Sequence, residues 1–153
     1  GGGALYDVGC YTINAARLVF KAEPLEIRTA SHLDEKTGID LTTSLLCQFY
    51  DGRQSLLASS FELEFQSSLK ISGREGSLFL NRVFSAKDSP TEIILRQGEK
   101  LTSFNFPPVD QYQLMVEHFG QTIAGRVSPL IDFHDSFGNA LALEKALKSI
   151  RPR

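Results

Sequence analysis

The sequence predicts an α+β domain: a largely antiparallel, open-faced β-sheet with helices packed on one face. Three observations carry this. Apolar residues recur at helical spacing over residues 4–20, period-two alternation runs from 24 to 106, and two further helical patterns follow Pro107-Pro108.

The first helix is marked by Leu5, Val8, Ile13, Ala16 and Phe20, with Pro24 shortly after its end. Gly9 lies inside it and costs about 1 kcal/mol relative to alanine, which implies a packing or close-approach reason. Leu25, Ile27, Thr29, Ser31 and Leu33 then alternate with polar neighbours as a first strand. Leu41, Thr43, Leu45, Cys47 and Phe49 form the inward set of a second, closed by the hairpin signal Asp51-Gly52. Further strands are expected over residues 54–65, 69–72, 77–81, 92–96 and 101–106, with turns at 73–76 and 97–98. Such short spacings imply antiparallel pairing, because parallel neighbours need crossovers of a dozen residues or more. Asp110 starts the next helix with Gln113 in a capping-box position, and Tyr112, Met115, Val116, Phe119 and Ile123 form its stripe up to a C-cap at Gly125. The last helix covers roughly residues 133–150, with Phe137, Leu141, Leu147 and Ile150 expected inward.

Length and charge bound the function. A chain of 153 residues, 42% hydrophobic, fits one domain over residues 1–153 with a real core. A net charge of −2 argues against nucleic-acid binding by bulk charge. No apolar run reaches the ~20 residues that span a bilayer, so no membrane partner is expected. Cys10 and Cys47 show no disulfide or metal-ligand pattern, which points to a reduced, cytoplasmic setting and to no metal. The start at Gly1-Gly2-Gly3, without a methionine or targeting segment, reads as the C-terminal part of a larger protein.

No phosphate-cradling G-x-G-x-x-G or Walker loop, no G-x-S-x-G, no H-E-x-x-H and no C-x-x-C is present. The chemistry-bearing segment is Asp7-Val8-Gly9-Cys10-Tyr11. On a helix Asp7 and Tyr11 share a face, and Asn14 continues it one turn later. A carboxylate, a phenol and a carboxamide on one edge can bind a polyhydroxylated ligand and handle a proton, while Gly9 lets a ring approach the backbone. Asp7 also fits as a charge at the positive end of the helix, and Tyr11 as a core aromatic with a wet hydroxyl, so spacing leaves both readings open. Asp132, His134 and Asp135 read as capping and first-turn residues rather than a metal cluster. Arg17, off the face of Asp7, reads as a solvent or interdomain salt bridge, and His32 and His118 as surface or strand-end residues.

The opening run, Gly1-Gly2-Gly3-Ala4-Leu5-Tyr6-Asp7-Val8-Gly9-Cys10-Tyr11, resembles the G-G-G-x-L-x-D-x-G-x-[HY] motif of the C-terminal domain of Gfo/Idh/MocA oxidoreductases. The Gly73-Arg74-Glu75-Gly76 hairpin resembles the family's G-x-x-G turn. The Glu117-His118-Phe119 helix with Gly125, Arg126 and Pro129 resembles its later segment. Tyrosine at position 11 is similar to the glucose–fructose oxidoreductase, xylose dehydrogenase and dihydrodiol dehydrogenase branch.

The resemblance implies a substrate-binding domain that works with an N-terminal Rossmann domain of the same protein, which binds NAD(P) and is absent from this chain. It implies Tyr11 as proton donor or acceptor, Asp7 as the residue that orients substrate or proton relay, and a sugar, polyol or cyclic diol as substrate. Gly9, Asn14, Gln111 and Tyr112 would lie near substrate or cofactor. The family's lysine comes from a Glu-Lys-Pro motif; Glu35-Lys36, Glu99-Lys100 and Glu144-Lys145 are not followed by proline. The chain alone is therefore expected to be inactive and to bind no NAD(P). The competing readings are a sugar-sensing domain and a structural dimerisation module. The sheet's second face, with Leu46, Tyr50, Leu56 and Ala58 among small polar residues, predicts a homodimer or tetramer.

Overall fold

A computed structural model describes residues 2–85, 87 and 89–150. A π-helical turn, Leu5–Gly9, runs directly into α1 (Cys10–Phe20). Then come β1 (Glu26–Leu33), β2 (Asp40–Gln48), β3 (Gln54–Ser60), β4 (Ser68–Ser72), β5 (Ser77–Asn81), β6 (Thr91–Gln97), β7 (Lys100–Phe106), α2 (Gln111–Ile123) and α3 (Phe133–Lys148). All pairing is antiparallel, and the class is α+β as the sequence predicts. The strands sort into two sheets, ordered β1-β2-β3 and β4-β5-β6-β7. The chain divides into two compact units, residues 1–63 with 131–153 and residues 64–130. Among the described residues no helix is long and apolar enough to cross a membrane.

In the first unit one sheet face is buried under the helices. Ile27, Leu45, Cys47 and Phe49 meet Leu5, Ile13 and Ala16 from the first helix and Ala142, Leu143 and Ala146 from α3. At the β2–β3 turn, Gly52 takes φ +80° and Phe49 N donates to Arg53 O at 2.9 Å. Phe20 meets Phe49 edge-on at 4.6 Å, and the Arg53 guanidinium lies 4.7 Å from the Phe20 ring centre. β3 ends at Ser60 rather than running to residue 65. The Ser60 hydroxyl accepts from Glu62 N and Leu63 N, a local turn that competes with the strand ladder. Phe61 and Leu63, beyond the strand's end, are exposed.

α3 presents a different face from the one its large residues suggested. Gly138, Ala142, Leu143 and Ala146 are buried and Leu147 and Ile150 partly so, whereas Phe137 and Leu141 are exposed. Small side chains let α3 approach closely, and Phe137 instead stacks on Phe133 with ring centres 5.9 Å apart. The wider π turn likewise shifts the phase of the first helix and leaves Val8 at the surface.

Arg17 joins these helices. It is 5% exposed, holds Glu23 by Nε–Oε2 and Nη2–Oε1 bonds of 2.8 and 2.6 Å, and sits 3.1 Å from Asp135 Oδ1 on α3. A Cβ at Gly138 would collide with this pair. Arg17 is thus a buried guanidinium with two half-exposed carboxylate partners, all inside one unit. Its hydrogen bonds hold the Glu23 carboxyl below the usual carboxylate range. The contribution of the pair to stability is therefore present at neutral pH and fades as pH falls through that lowered value.

On the other face of this sheet, Arg28–Leu46–Leu56, Ala30–Ser44–Ala58 and His32–Thr42–Ser60 form cross-strand rows. Leu56 and Tyr50 are almost fully exposed, at 84% and 90%.

The second unit is a four-stranded meander. Leu69–Leu80–Ile93–Phe104 and Ile71–Leu78–Leu95–Thr102 line one face. Gly73 N donates to Gly76 O at 2.8 Å, closing the tight turn, and Gly98 takes φ +60° in the next. In α2 the Asp110 carboxylate caps Tyr112 N and Gln113 N at 3.0 and 3.2 Å. The Gln113 side chain bonds Glu117 instead of completing a reciprocal box. At the far end Gly125, φ +68°, donates to Thr122 O and Arg126 N to Gln121 O, a Schellman stop. The apolar stripe of α2 has the expected period but is exposed throughout, with no residue of the helix buried.

The start of the first helix is fastened to β2 by one carboxylate. Asp40, 3% exposed, accepts from Leu5 N at 2.7 Å and from Thr43 Oγ1 at 2.8 Å. Gly3 passes over it at φ +89°, where a Cβ would strike the carboxylate. Asp40→Ala leaves the buried Leu5 N–H without an acceptor and the Thr43 hydroxyl with Ser31 alone, so urea denaturation of the chain should show a loss of about 1–3 kcal/mol. An unchanged midpoint would deny Asp40 this role.

Candidate functional site

The glycine-led helix carries the candidate groups, and its irregularity places them. Leu5 and Ile13 are buried, so the opposite edge is wet: Tyr6, Asp7 and Tyr11 are all exposed there. The π-helical stretch contains Asp7 and ends at Gly9, and such segments are rare and frequent at functional sites. Gly9 is buried. A Cβ there would come within 2.8 Å of Leu5 Cδ1 and 2.9 Å of Ser59 Oγ, so its bare Cα lets the turn lie directly on β3. This close approach is to the sheet. Thr12 Oγ1 donates to Gly9 O at 2.8 Å, carrying the chain into regular α-helix.

Asp7 and Tyr11 are four residues apart, on one exposed edge where i and i+4 side chains are neighbours. Tyr11 is 54% exposed and not the core aromatic that spacing also allowed. Cys10 lies between them; its thiol is pushed up first by burial and also by the charge of Asp7. It is therefore protonated at neutral pH and a poor nucleophile.

α3 flanks Tyr11 on the helix. Asn139 Nδ2 donates to Cys10 O at 3.4 Å, and Asn14 Nδ2 donates to Asp135 Oδ2 at 3.5 Å. Asp132 is the N-cap of α3, accepting from Asp135 N at 2.8 Å. The described residues hold no group of three or more His, Cys, Asp or Glu placed for a metal ion. His32 Nδ1 lies 2.9 Å from Glu62 Oε2, and His118 Nε2 accepts from Leu130 N at 3.2 Å.

Gln111 and Tyr112 belong to the second unit, at the start of α2. Gln111 Nε2 donates to Phe84 O at 3.5 Å, and Tyr112 is 61% exposed. Asp7, Gly9, Tyr11 and Asn14 lie together in the first unit. Sequence reasoning missed Asp40, Asp135 as the partner of Asn14, and Asn139, since each meets the first helix from a distant part of the chain.

Comparison with known proteins adds ancestry to this geometry. The family profile described as GFO/IDH/MocA C-terminal domain matches residues 1–79. An uncharacterized oxidoreductase of Rhizobium meliloti is 38% identical over 97% of this chain and 46% of its own length. A trans-1,2-dihydrobenzene-1,2-diol dehydrogenase of Xenopus tropicalis is 30% identical over 98% of this chain and 47% of its own. The chain thus spans about half the length of the curated relatives it matches. In fold it is similar to KijD10, a 3-ketoreductase from Actinomadura kijaniata solved with NADP and TDP-benzene. That match has a TM-score of 0.89 at 23% identity, covering 97% of this chain and 46% of that one. A profile spanning the glycine-led helix and the strands it packs on, together with 38% identity to an oxidoreductase over nearly the whole chain, settles the ancestry: this chain belongs to the GFO/IDH/MocA C-terminal domain family.

Proposed function

We propose that this chain is the substrate-binding part of a cytoplasmic NAD(P)-dependent oxidoreductase acting on a CH–OH group of a sugar, polyol or cyclic diol. The observation that carries the proposal is an exposed carboxylate and phenol, Asp7 and Tyr11, on a helix whose opposite side is locked to the sheet. Its similarity to a dihydrodiol dehydrogenase and to a D-xylose 1-dehydrogenase (NADP(+)) of Haloferax volcanii supports the substrate class.

The residues of this chain do not fit a dinucleotide at their one glycine-rich helix start. The Asp40 carboxylate already takes the Leu5 N–H there, and its charge repels a pyrophosphate. NAD(P) would be held by an N-terminal Rossmann domain of the same protein. The part of this chain is proton handling and orientation: the Tyr11 hydroxyl exchanges a proton with the carbinol oxygen, and Asp7 orients the substrate or the relay. In this reading the other domain supplies a cation beside the Tyr11 hydroxyl to assist the proton exchange.

Two measurements test this reading. In the full-length protein Tyr11→Phe keeps the ring and should lower turnover about 10²-fold or more, with the fold intact by circular dichroism. A rate within a few-fold of the parent would assign Tyr11 to packing. Calorimetry of the isolated chain should show no micromolar binding of NAD(P); a micromolar isotherm contradicts the division of labour.

The exposed rows of the first sheet suit a two-fold homodimer, or a tetramer built from it. The small central row Ala30–Ser44–Ala58 permits close approach beside Leu46 and Leu56. Sedimentation should show a dimer that Leu46→Glu dissociates. A parent that stays monomeric at high micromolar concentration rules out this interface.

A further inference from the structure

Asparagine is ambiguous in recognition, because its carboxamide offers an acceptor on one side and two donors on the other. At Asn14 the surroundings remove the ambiguity. Its Nδ2 faces Asp135 Oδ2 at 3.5 Å, and an ionised carboxylate only accepts. Turning the amide over would set Oδ1 against that carboxylate, so one orientation is selected. Asp135 is itself drawn to one side by charge: its other oxygen, Oδ1, lies 3.1 Å from Arg17 Nη1 in an ion-pair contact that lacks hydrogen-bond geometry. Arg17 is 5% exposed and is gripped on two nitrogens by Glu23, so it cannot swing away to solvent. Gly138 on α3 supplies the space, since any side chain there would displace the guanidinium. The chain Glu23–Arg17–Asp135–Asn14 thus runs from a half-exposed carboxylate through a buried guanidinium to a half-buried amide on the Tyr11 helix, one turn of helix beyond Cys10.

We propose that Asp135, anchored by Arg17, is a positioning residue that holds the Asn14 carboxamide with Oδ1 free to accept a hydrogen bond from a substrate hydroxyl. The inference rests on the functional reading above and deepens it: the group recognised at Asn14 is a donor, a hydroxyl rather than a carbonyl or ether oxygen. Asp135 touches no substrate and acts only through Asn14.

The test uses Asp135→Asn, which keeps shape and leaves Arg17 its grip on Glu23 but offers Asn14 either an acceptor or a donor. In the full-length protein this variant should raise KM for the accepted sugar or diol about three- to tenfold, with kcat within about twofold. Asn14→Ala should raise KM as much, and the double variant no further, the non-additivity expected of residues acting in one chain. Preference for the substrate over the mono-deoxy analogue lacking the recognised hydroxyl should shrink by the same factor. Unchanged KM, or additive losses, overturns the proposal. A second readout does not depend on turnover: in the isolated chain the Asn14 side-chain amide should be rigid by 15N relaxation and become mobile in Asp135→Asn. Equal mobility in both proteins also overturns it. If Tyr11→Phe abolishes turnover while Asp135→Asn leaves KM alone, only the positioning role falls. If Tyr11→Phe changes nothing, the failure lies with the functional reading.

Discussion

One buried carboxylate sets where the first helix begins. Without Asp40, the Leu5 N–H would point into the protein unpaired, a loss comparable to a whole hydrogen bond. With it, the helix start is tied to the first residue of β2, and Thr43, buried on the same strand, closes the bond network through the Asp40 carboxylate and the Ser31 hydroxyl on β1. The requirement for glycine at position 3 follows directly, since the backbone passes over the carboxylate at positive φ with no room for a side chain. Everything downstream on that helix, from Asp7 through Tyr11 to Asn14, takes its orientation from this joint and from the close seat of Gly9 on Ser59. The Leu5 N–H at this glycine-led start is thereby put to structural use.

The second anchor lies on α3. A helix that buried Phe137 and Leu141 would stand farther from α1; one that buries Gly138, Ala142 and Ala146 comes close enough for Asp135 and Asn139 to reach Asn14 and Cys10 O. Small residues and polar reach are therefore two aspects of one packing choice. Its by-product is an exposed ridge of Phe133, Phe137 and Leu141 on the first unit.

Much of this was legible in the residues. Period-two alternation placed Thr43, Leu45, Cys47 and Phe49 on the buried face and Ser44, Leu46 and Leu56 on the other, because strand geometry is local and unambiguous where one face is buried. Asp110 and Gly125 were readable as caps because their partners lie within a few residues. The misreadings have equally specific causes. Val8 left the buried face because a π turn breaks the 3.6 period, and residues 61–63 left the strand because Ser60 bonds its own neighbours. Arg17 and Asn14 could not be placed from spacing, since their partner Asp135 is 121 residues from Asn14 and only the tertiary fold brings it near. The Asp40 joint, spanning 35 residues, is hidden for the same reason.

The chain belongs to an oxidoreductase C-terminal domain family, and the proposed function gives its exposed Asp7–Tyr11 edge the handling of a hydroxyl and assigns the redox cofactor to another domain. The most direct test is a nicotinamide-reduction screen of the full-length protein over aldoses, polyols and cyclic diols, followed by absorbance of the reduced cofactor. Substrate-dependent reduction with at least one member of these classes is the predicted result. Folded protein that binds NAD(P) yet reduces none of it with any of them would contradict the account.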